Sequence, residues 1–453
     1  MLDQHTLKFY LSPRKITSPG DVSAHQIPGI YIYKLLKLSY RNLFRNRRGA
    51  AFAITIGAAG FAALSIAMGY YQYIMYGLEE LTIRNGFGGE GGSGHVQIKD
   101  IHAGLAEESY AYEFGLGNVA TLMKALGDDP DVDYILPRIE IGGLISNGDK
   151  VLPFKGYGIE PATEARLRNG LSKIDPTALA GNEILPLGRE DTGILLGRKL
   201  ALALHAKVGD ALIMYGTTVD GAINGTDVVV SGIMSTGINQ VDKYYLLTNI
   251  KTAQQLINTD KISYAAVMFK NREHLDEKQQ RLSDTLKARL PLAPLRLLDW
   301  KQNAEFYTSV EETYSSIFIF MGVIVLLLVA LGCWNIMHIA TMERVREIGT
   351  LRAIGLSVPV INMIFFLEAM FIGVISVLTG FLLHLLIAAL INEYRIMMPT
   401  IPGMNRGYPL RINGVSIYHL WLSAGIIVAI SCSSLSSFLA IRKLSIIDSL
   451  EHT

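Results

Sequence analysis

Residues 342–355 read MERVREIGTLRAIG, a charged segment set between two long apolar runs. Val345, Ile348, Leu351 and Ile354 recur every third position, while Glu343, Arg346, Glu347 and Arg352 fall mainly off that stripe. That pattern predicts a short helix, half buried and half presented. Gly355 supplies a helix stop, and Ser357 and Pro359 supply an N-cap and an early-turn proline for the next helix, so breakers bracket the segment. Two readings fit this: a rigid handle made to be touched by another molecule, or an ordinary loop whose positive charge sets topology.

Working outward, the flanking apolar runs are 315–340 and 360–391, and two more lie at 50–73 and 416–441. Each provides about the 20 mostly apolar residues needed to cross a bilayer core. Half the 453 residues are hydrophobic and only 18% are charged, too apolar for an ordinary soluble chain. The expected fold class is a membrane protein with four transmembrane α-helices, at 50–76, 315–341, 359–391 and 416–441. A large extracytoplasmic α+β domain, 77–310, separates the first helix from the second. The first run starts too late and is too long for a cleaved signal peptide, so it should stay as an anchor. A net charge of +1 gives no overall basic bias towards nucleic acid. Cys333 and Cys432 both fall in expected spans, so cysteine usage does not reveal the compartment.

Residues 1–29, with scattered Pro and Gly, read as a poorly ordered lead-in. Between 30 and 48, Lys34, Lys37, Arg41, Arg45 and Arg48 share one helical face, with Ile32, Leu35, Leu36, Tyr40 and Leu43 opposite. This fits an interfacial amphipathic helix whose basic face meets anionic headgroups, or a basic flank that only sets topology. The first span is rich in Ala and Gly, which suits close packing on other helices, and it ends in an aromatic cluster at Tyr70, Tyr71, Tyr73 and Tyr76. GFGGEG at 86–91 matches a dinucleotide-binding glycine pattern by letter. It follows a helix and precedes a strand-like HVQI, with Glu90 where a phosphate would sit, so it reads as a connector.

In the large domain, helices are expected at 119–126, 198–204, 251–257 and 274–288. Strands are expected at 134–141, 151–159, 211–215, 228–234, 244–248 and 265–269. Asn224-Gly225 reads as a hairpin turn. Two lobes are expected, with a β-rich insert at 181–243 and the flanking halves forming the larger lobe. The last two spans are joined by a short external loop, 392–415, and the chain closes in a tail at 442–453. Basic residues concentrate at 31–48, 342–357 and the C-terminal tail, which predicts both termini in the cytoplasm. Glu368, inside the third span, is read either as a functional intramembrane acid or as a snorkelling one. His338 and His384 read as packed polar residues, and the serines of the fourth span as satisfied on their own helix. No phosphate loop, HExxH helix, CxxC pair or GxSxG elbow occurs, so no catalytic or metal site is expected. Energised work would have to be driven by a partner.

REIGTLRAIG at 346–355, in its four-span setting, resembles the permeases of the MacB and lipoprotein-releasing LolC/LolE ABC transporters, the FtsX-like superfamily. GHVQI at 94–98, ILLGRKLA at 194–201 followed by VGD at 208–210, and RKLSIIDSL at 442–450 extend the likeness over roughly 31–450. The resemblance implies an inner-membrane permease without ATPase motifs of its own. ATP and Mg2+ would sit on two copies of a partner ATPase, with a second permease, identical or different, completing the complex. It implies that Glu343, Arg346, Glu347, Gly349, Arg352 and Gly355 form the ATPase-coupling segment. It also implies that Met68, Tyr71, Ile74, Ile317, Phe320 and Met321 wall a lateral substrate cavity. The substrate would be a lipoprotein or other hydrophobic molecule passed from the outer leaflet to a periplasmic acceptor. An FtsX-type regulator of an extracellular hydrolase and a MacB-like efflux permease are the alternatives. Absence of a fused ATPase favours the lipoprotein-releasing type over MacB, and Glu451 stands where an Arg is common in the family.

Overall fold

The computed structural model describes residues 28–45, 47–85, 92–103, 114–172, 184–188, 192–398 and 409–443. The lead-in at 1–27, the glycine-rich 86–91 and the tail beyond 443 lie outside the described residues. The chain divides into two compact units. One comprises Met1–Phe61, Val325–Phe381 and Trp421–Thr453, the other Ala62–Ile324 and Leu382–Leu420.

In the second unit a nine-stranded sheet runs in the order β3-β7-β4-β6-β5-β2-β8-β1-β9. Its strands are β1 (Val96–Asp100), β2 (Val132–Ser146), β3 (Val151–Ile159), β4 (Gly193–Gly197), β5 (Ala211–Thr217), β6 (Ile223–Met234), β7 (Tyr245–Asn249), β8 (Tyr264–Phe269) and β9 (Leu295–Asp299). β2 also pairs with β3, so β2-β3-β7-β4-β6-β5 closes into a six-stranded barrel with no free edge. The 15-residue β2 makes this possible, because its first half pairs with β8 and its last residues with β5. Gly156 permits the closure: a Cβ there would lie 1.9 Å from the Leu246 carbonyl oxygen on the parallel neighbour β7.

Ile139, Ile141, Ile145, Phe154, Leu196, Met214 and Val230 share the barrel core with Ala253 and Leu256. The last two come from α6, where α1 is Pro28–Arg45, α2 Arg47–Asn85, α3 Val119–Gly127, α4 Pro161–Ser172, α5 Arg198–Leu204 and α6 Ile250–Ile257. The smaller lobe comprises β1, β8, β9 and the start of β2, on which α3 and α7 (Leu275–Arg289) pack through Leu122, Leu126, Leu282 and Leu286. The β-rich lobe is therefore wider than 181–243, since β2, β3 and β7 belong to it, and it is the flanking lobe that is the smaller. Local alternation identifies strands, but these partners lie far apart in sequence. Asn224-Gly225 falls inside β6, and the turn sits earlier, where Gly221 adopts φ +81° and Thr218 N–H donates to Ala222 O. Asn224 instead caps the end of α6, its Nδ2 donating to the Gln255 and Leu256 carbonyls.

Among the described residues, four helical stretches are long and apolar enough to cross a membrane. They are α2, α8 (Glu305–Glu343), α10 (Val358–Tyr394), and α11 (Tyr418–Cys432) continued by α12 (Ser434–Lys443). α9 (Val345–Ala353) separates α8 from α10. In the first unit the small residues of α2 allow contact at backbone distance. A Cβ on Gly380 would stand 2.6 Å from Ala58 O, and one on Gly57 2.6 Å from the Ser376 hydroxyl. The fourth stretch breaks at Ser433, where Ser433 Oγ donates to Ile430 O and Ser436 Oγ to Ser433 O.

Candidate functional site: the joint between α8 and α9

α8 stops at Glu343 and α9 starts at Val345, leaving Arg344 between them with φ −107° and ψ 14°. Its guanidinium turns inward and grips Glu368 of α10 with two hydrogen bonds, Nη1–Oε2 at 2.9 Å and Nη2–Oε1 at 3.1 Å. Both side chains are buried, at 8% and 5% exposure, and each compensates the other's charge. One turn earlier, the Thr341 hydroxyl meets the Ser437 hydroxyl of α12 at 2.7 Å. The joint is thus fastened to two other helices by polar contacts that water cannot easily replace. Glu368 neither snorkels nor stands alone, and Ser437 looks outward from its own helix. Arg344 itself carried a legible signal: it precedes Ile348 by one turn, so it is a charge placed on the buried face.

Across the joint and α9, Arg344, Val345, Ile348 and Gly349 are buried, and Glu343, Arg346, Glu347 and Thr350 are presented. Ile354 is 51% exposed, so the apolar stripe ends before it, because the helix itself ends at Ala353. Gly355 adopts φ +99°, and Leu356 N–H reaches back to Leu351 O, the left-handed stop that the sequence pattern required. Gly349 lies on the buried face and Arg352 is half-buried, so neither belongs to the presented set.

Of the basic residues ahead of the first span, Lys37, Arg41 and Arg45 are exposed along α1, which also contains Lys34. α1 ends at Arg45, however, and Arg48 belongs to α2. The face opposite the basic one is only partly apolar, since Tyr40 is half exposed. Among the described side chains of α1, Ser39 and Leu43 are buried, one turn apart, and Ser39 Oγ donates to Ile364 O of α10. α1 therefore packs on protein as well as facing outward. Its last residue, Arg45, forms an exposed ion pair with Glu347 on α9.

Among the expected cavity residues, Tyr71 meets α8 through a 2.9 Å contact to Ser315 Oγ and through the Phe318 ring. Tyr71 and Ile74 pack against the domain core, Met68 and Met321 are half-buried, and Ile317 and Phe320 are exposed. His338 is exposed rather than packed, whereas His384 is buried and donates through Nε2 to Gly414 O at 2.9 Å.

Within the second unit the end of α2 is fixed firmly. Met75, Leu78 and Ile83 enter the same core as Trp300, Ala304 and Tyr307, which lead into α8. Glu79 and Glu80 both pair with Arg272, and Arg84 holds Glu80 at 2.7 Å. Behind them Glu164 sits wholly buried between Arg138 (2.7 Å) and Arg168 (2.9 Å). Burial alone would raise the Glu164 carboxyl, but the two guanidiniums outweigh it and hold the group below its usual range. His95, from the GHVQI stretch, accepts the Phe269 backbone N–H on Nδ1 at 3.0 Å. Burial first, then the positive charges of Arg272, Arg84 and Lys278, push its imidazole down to about 3, so it stays a neutral acceptor.

Residues 319–448 match the family described as FtsX-like permease C-terminal. The lipoprotein-releasing system transmembrane protein LolC of Xylella fastidiosa is 27% identical over 261 residues, 56% of this chain and 60% of that protein. The corresponding LolE of Haemophilus influenzae is 23% identical over 350 residues, 73% of this chain and 77% of that protein. The chain thus spans about 60% of the length of the LolC protein it matches. The periplasmic region of MacB from Actinobacillus actinomycetemcomitans is similar at a TM-score of 0.32 and 13% identity, over 47% of this chain and 91% of that one.

Proposed function

We propose that this chain, whose residues 319–448 match the FtsX-like permease C-terminal family, is an ABC-transporter permease of the MacB and LolC/LolE superfamily and the membrane subunit of a lipoprotein-releasing machine in the bacterial inner membrane. ATP, with Mg2+, is hydrolysed on two copies of a separate cytosolic ATPase, and a second permease, identical or different, completes the complex. The observation that carries this reading is the two-sided build of α9. Arg346 and Glu347 stand on its surface beside Glu343 at the end of α8, while Arg344 anchors its first turn to α10 through Glu368.

A load applied to the exposed face is therefore not absorbed by a loose loop. It reaches α8, which runs without a break from Glu343 back to Glu305, beside the domain-core residues Ala304 and Tyr307. A helix transmits displacement along its axis because its backbone hydrogen bonds are continuous. On this reading the α+β domain lies in the periplasm and moves with the ends of α2 and α8. It drives a lipid-anchored substrate from the outer leaflet towards a periplasmic acceptor, without a channel. The apolar face at Ile317 and Phe320 is suited to acyl chains.

The test is affinity purification in mild detergent followed by reconstitution with the ATPase that co-purifies. Glu347→Lys should leave the complex able to hydrolyse ATP but unable to release substrate. Undiminished release, or failure of any ATPase to co-purify, sinks the reading.

A further inference from the structure

A groove of about 530 Å3 lies in the first unit, between the corner where α1 gives way to α2 and the last turns of α8. Volumes of about 300–1,000 Å3 are typical of sites that take a small organic molecule. Its walls are graded in polarity. On α2, Arg48 and Phe52 are one turn apart on the same face, and the groove passes from guanidinium to aromatic ring between them. On α8, Ile336, Ile339 and Ala340 lead to Glu343, so the facing wall runs the same way, from apolar to charged. Arg45 and Arg47 complete the charged end. Phe52 is 67% exposed and Ile339 51% exposed, leaving a bare apolar floor beneath three guanidiniums.

We propose that this groove holds one anionic phospholipid of the phosphatidylglycerol class, its phosphodiester at the arginines and the start of an acyl chain along Phe52, Ile336 and Ile339. Arg45 is matched by Glu347, and the charge the groove offers a phosphate is that of Arg48. Arg48 pairs with no carboxylate among the described residues. A planar guanidinium donates two parallel hydrogen bonds to a phosphate, and the lipid chain removes Phe52 and Ile339 from solvent. An inorganic anion would satisfy the head and leave the floor bare, whereas an apolar helix would cover the floor and strand the charges. The lipid matches both ends at once. Arg45 also touches Glu347 of α9, so the bound headgroup would lie beside the presented face of that helix. The inference rests on the proposed function only for the leaflet that supplies the lipid, the cytoplasmic one.

The full chain, reconstituted in phosphatidylcholine nanodiscs with added phosphatidylglycerol and released for native mass spectrometry, should retain one phosphatidylglycerol per chain. Arg47→Gln with Arg48→Gln should weaken that retention at least about tenfold, given about 1 kcal/mol per basic residue at an anionic surface. Lys37→Gln with Arg41→Gln, which removes as much charge from α1 but none from the groove, should not. A Phe52→Trp variant should be quenched by brominated-chain phosphatidylglycerol and not by brominated phosphatidylcholine, a readout that does not depend on the arginine variant folding. Equal loss in the α1 variant, equal retention of phosphatidylcholine or phosphatidylethanolamine, full displacement by inorganic phosphate, or a Phe52→Cys cross-link between two copies would each overturn the proposal. Lipid retention without a co-purifying ATPase would sink the functional reading and leave this one standing.

Discussion

Arg344 and Glu368 are held together by two parallel hydrogen bonds of 2.9 and 3.1 Å, and Arg344 is the residue at which α8 ends and α9 begins. The pair therefore sets the angle at which α9 leaves α8, and not only the stability of the helices it joins. A buried ion pair is costly to break one-sidedly, because the survivor is left charged and desolvated.

Glu368→Gln or Arg344→Gln should each destabilise the purified protein by about 3–5 kcal/mol, and the double change Arg344→Met with Glu368→Leu by markedly less than their sum. Thermal unfolding in one detergent would read this. Additive losses would show that the two side chains do not depend on each other.

Glu347 and Arg45, by contrast, are about half exposed, and an ion pair in that setting contributes roughly 0–1 kcal/mol. Glu347→Gln should thus leave unfolding nearly unchanged. A large drop in stability would mean that this carboxylate serves the fold and not a partner.

His95 makes the domain sensitive to acid. Its folded pKa, about 3, lies below the ordinary 6.5, so the unfolded chain binds a proton first as pH falls. Its contribution is complete above about pH 6.5 and disappears between there and about 3, a span worth roughly 5 kcal/mol. Between pH 7.5 and 5 the wild type should lose about 2 kcal/mol more than His95→Gln, read from urea unfolding followed at the buried Trp300. Parallel pH profiles for the two proteins would remove the imidazole from the account.

Gly380 brings α10 against α2 at backbone distance. Gly380→Ala would put its Cβ 2.6 Å from Ala58 O, which cannot rotate away, and should cost about 1–3 kcal/mol. Gly322→Ala, where an added Cβ meets nothing within 4 Å, is the control and should cost far less. Equal melting temperatures would show that the helices have room to part.

The sequence alone determined that four stretches can span a bilayer, that a large α+β region lies between the first two, and that a capped charged helix follows the second. Each follows from local pattern: the length of an apolar run, alternation along a strand such as β5, and a glycine at 355 whose left-handed backbone ends a helix. Only the tertiary structure decided that β2 is shared between a closed barrel and a smaller lobe. It likewise decided that Arg344 belongs to Glu368, that Ser39 ties α1 to α10, and that Arg48 belongs to α2. Those outcomes are choices of partner between residues tens or hundreds of positions apart. Periodicity says which face of an element is buried, but which neighbour it meets depends on the competing contacts of the entire folded chain.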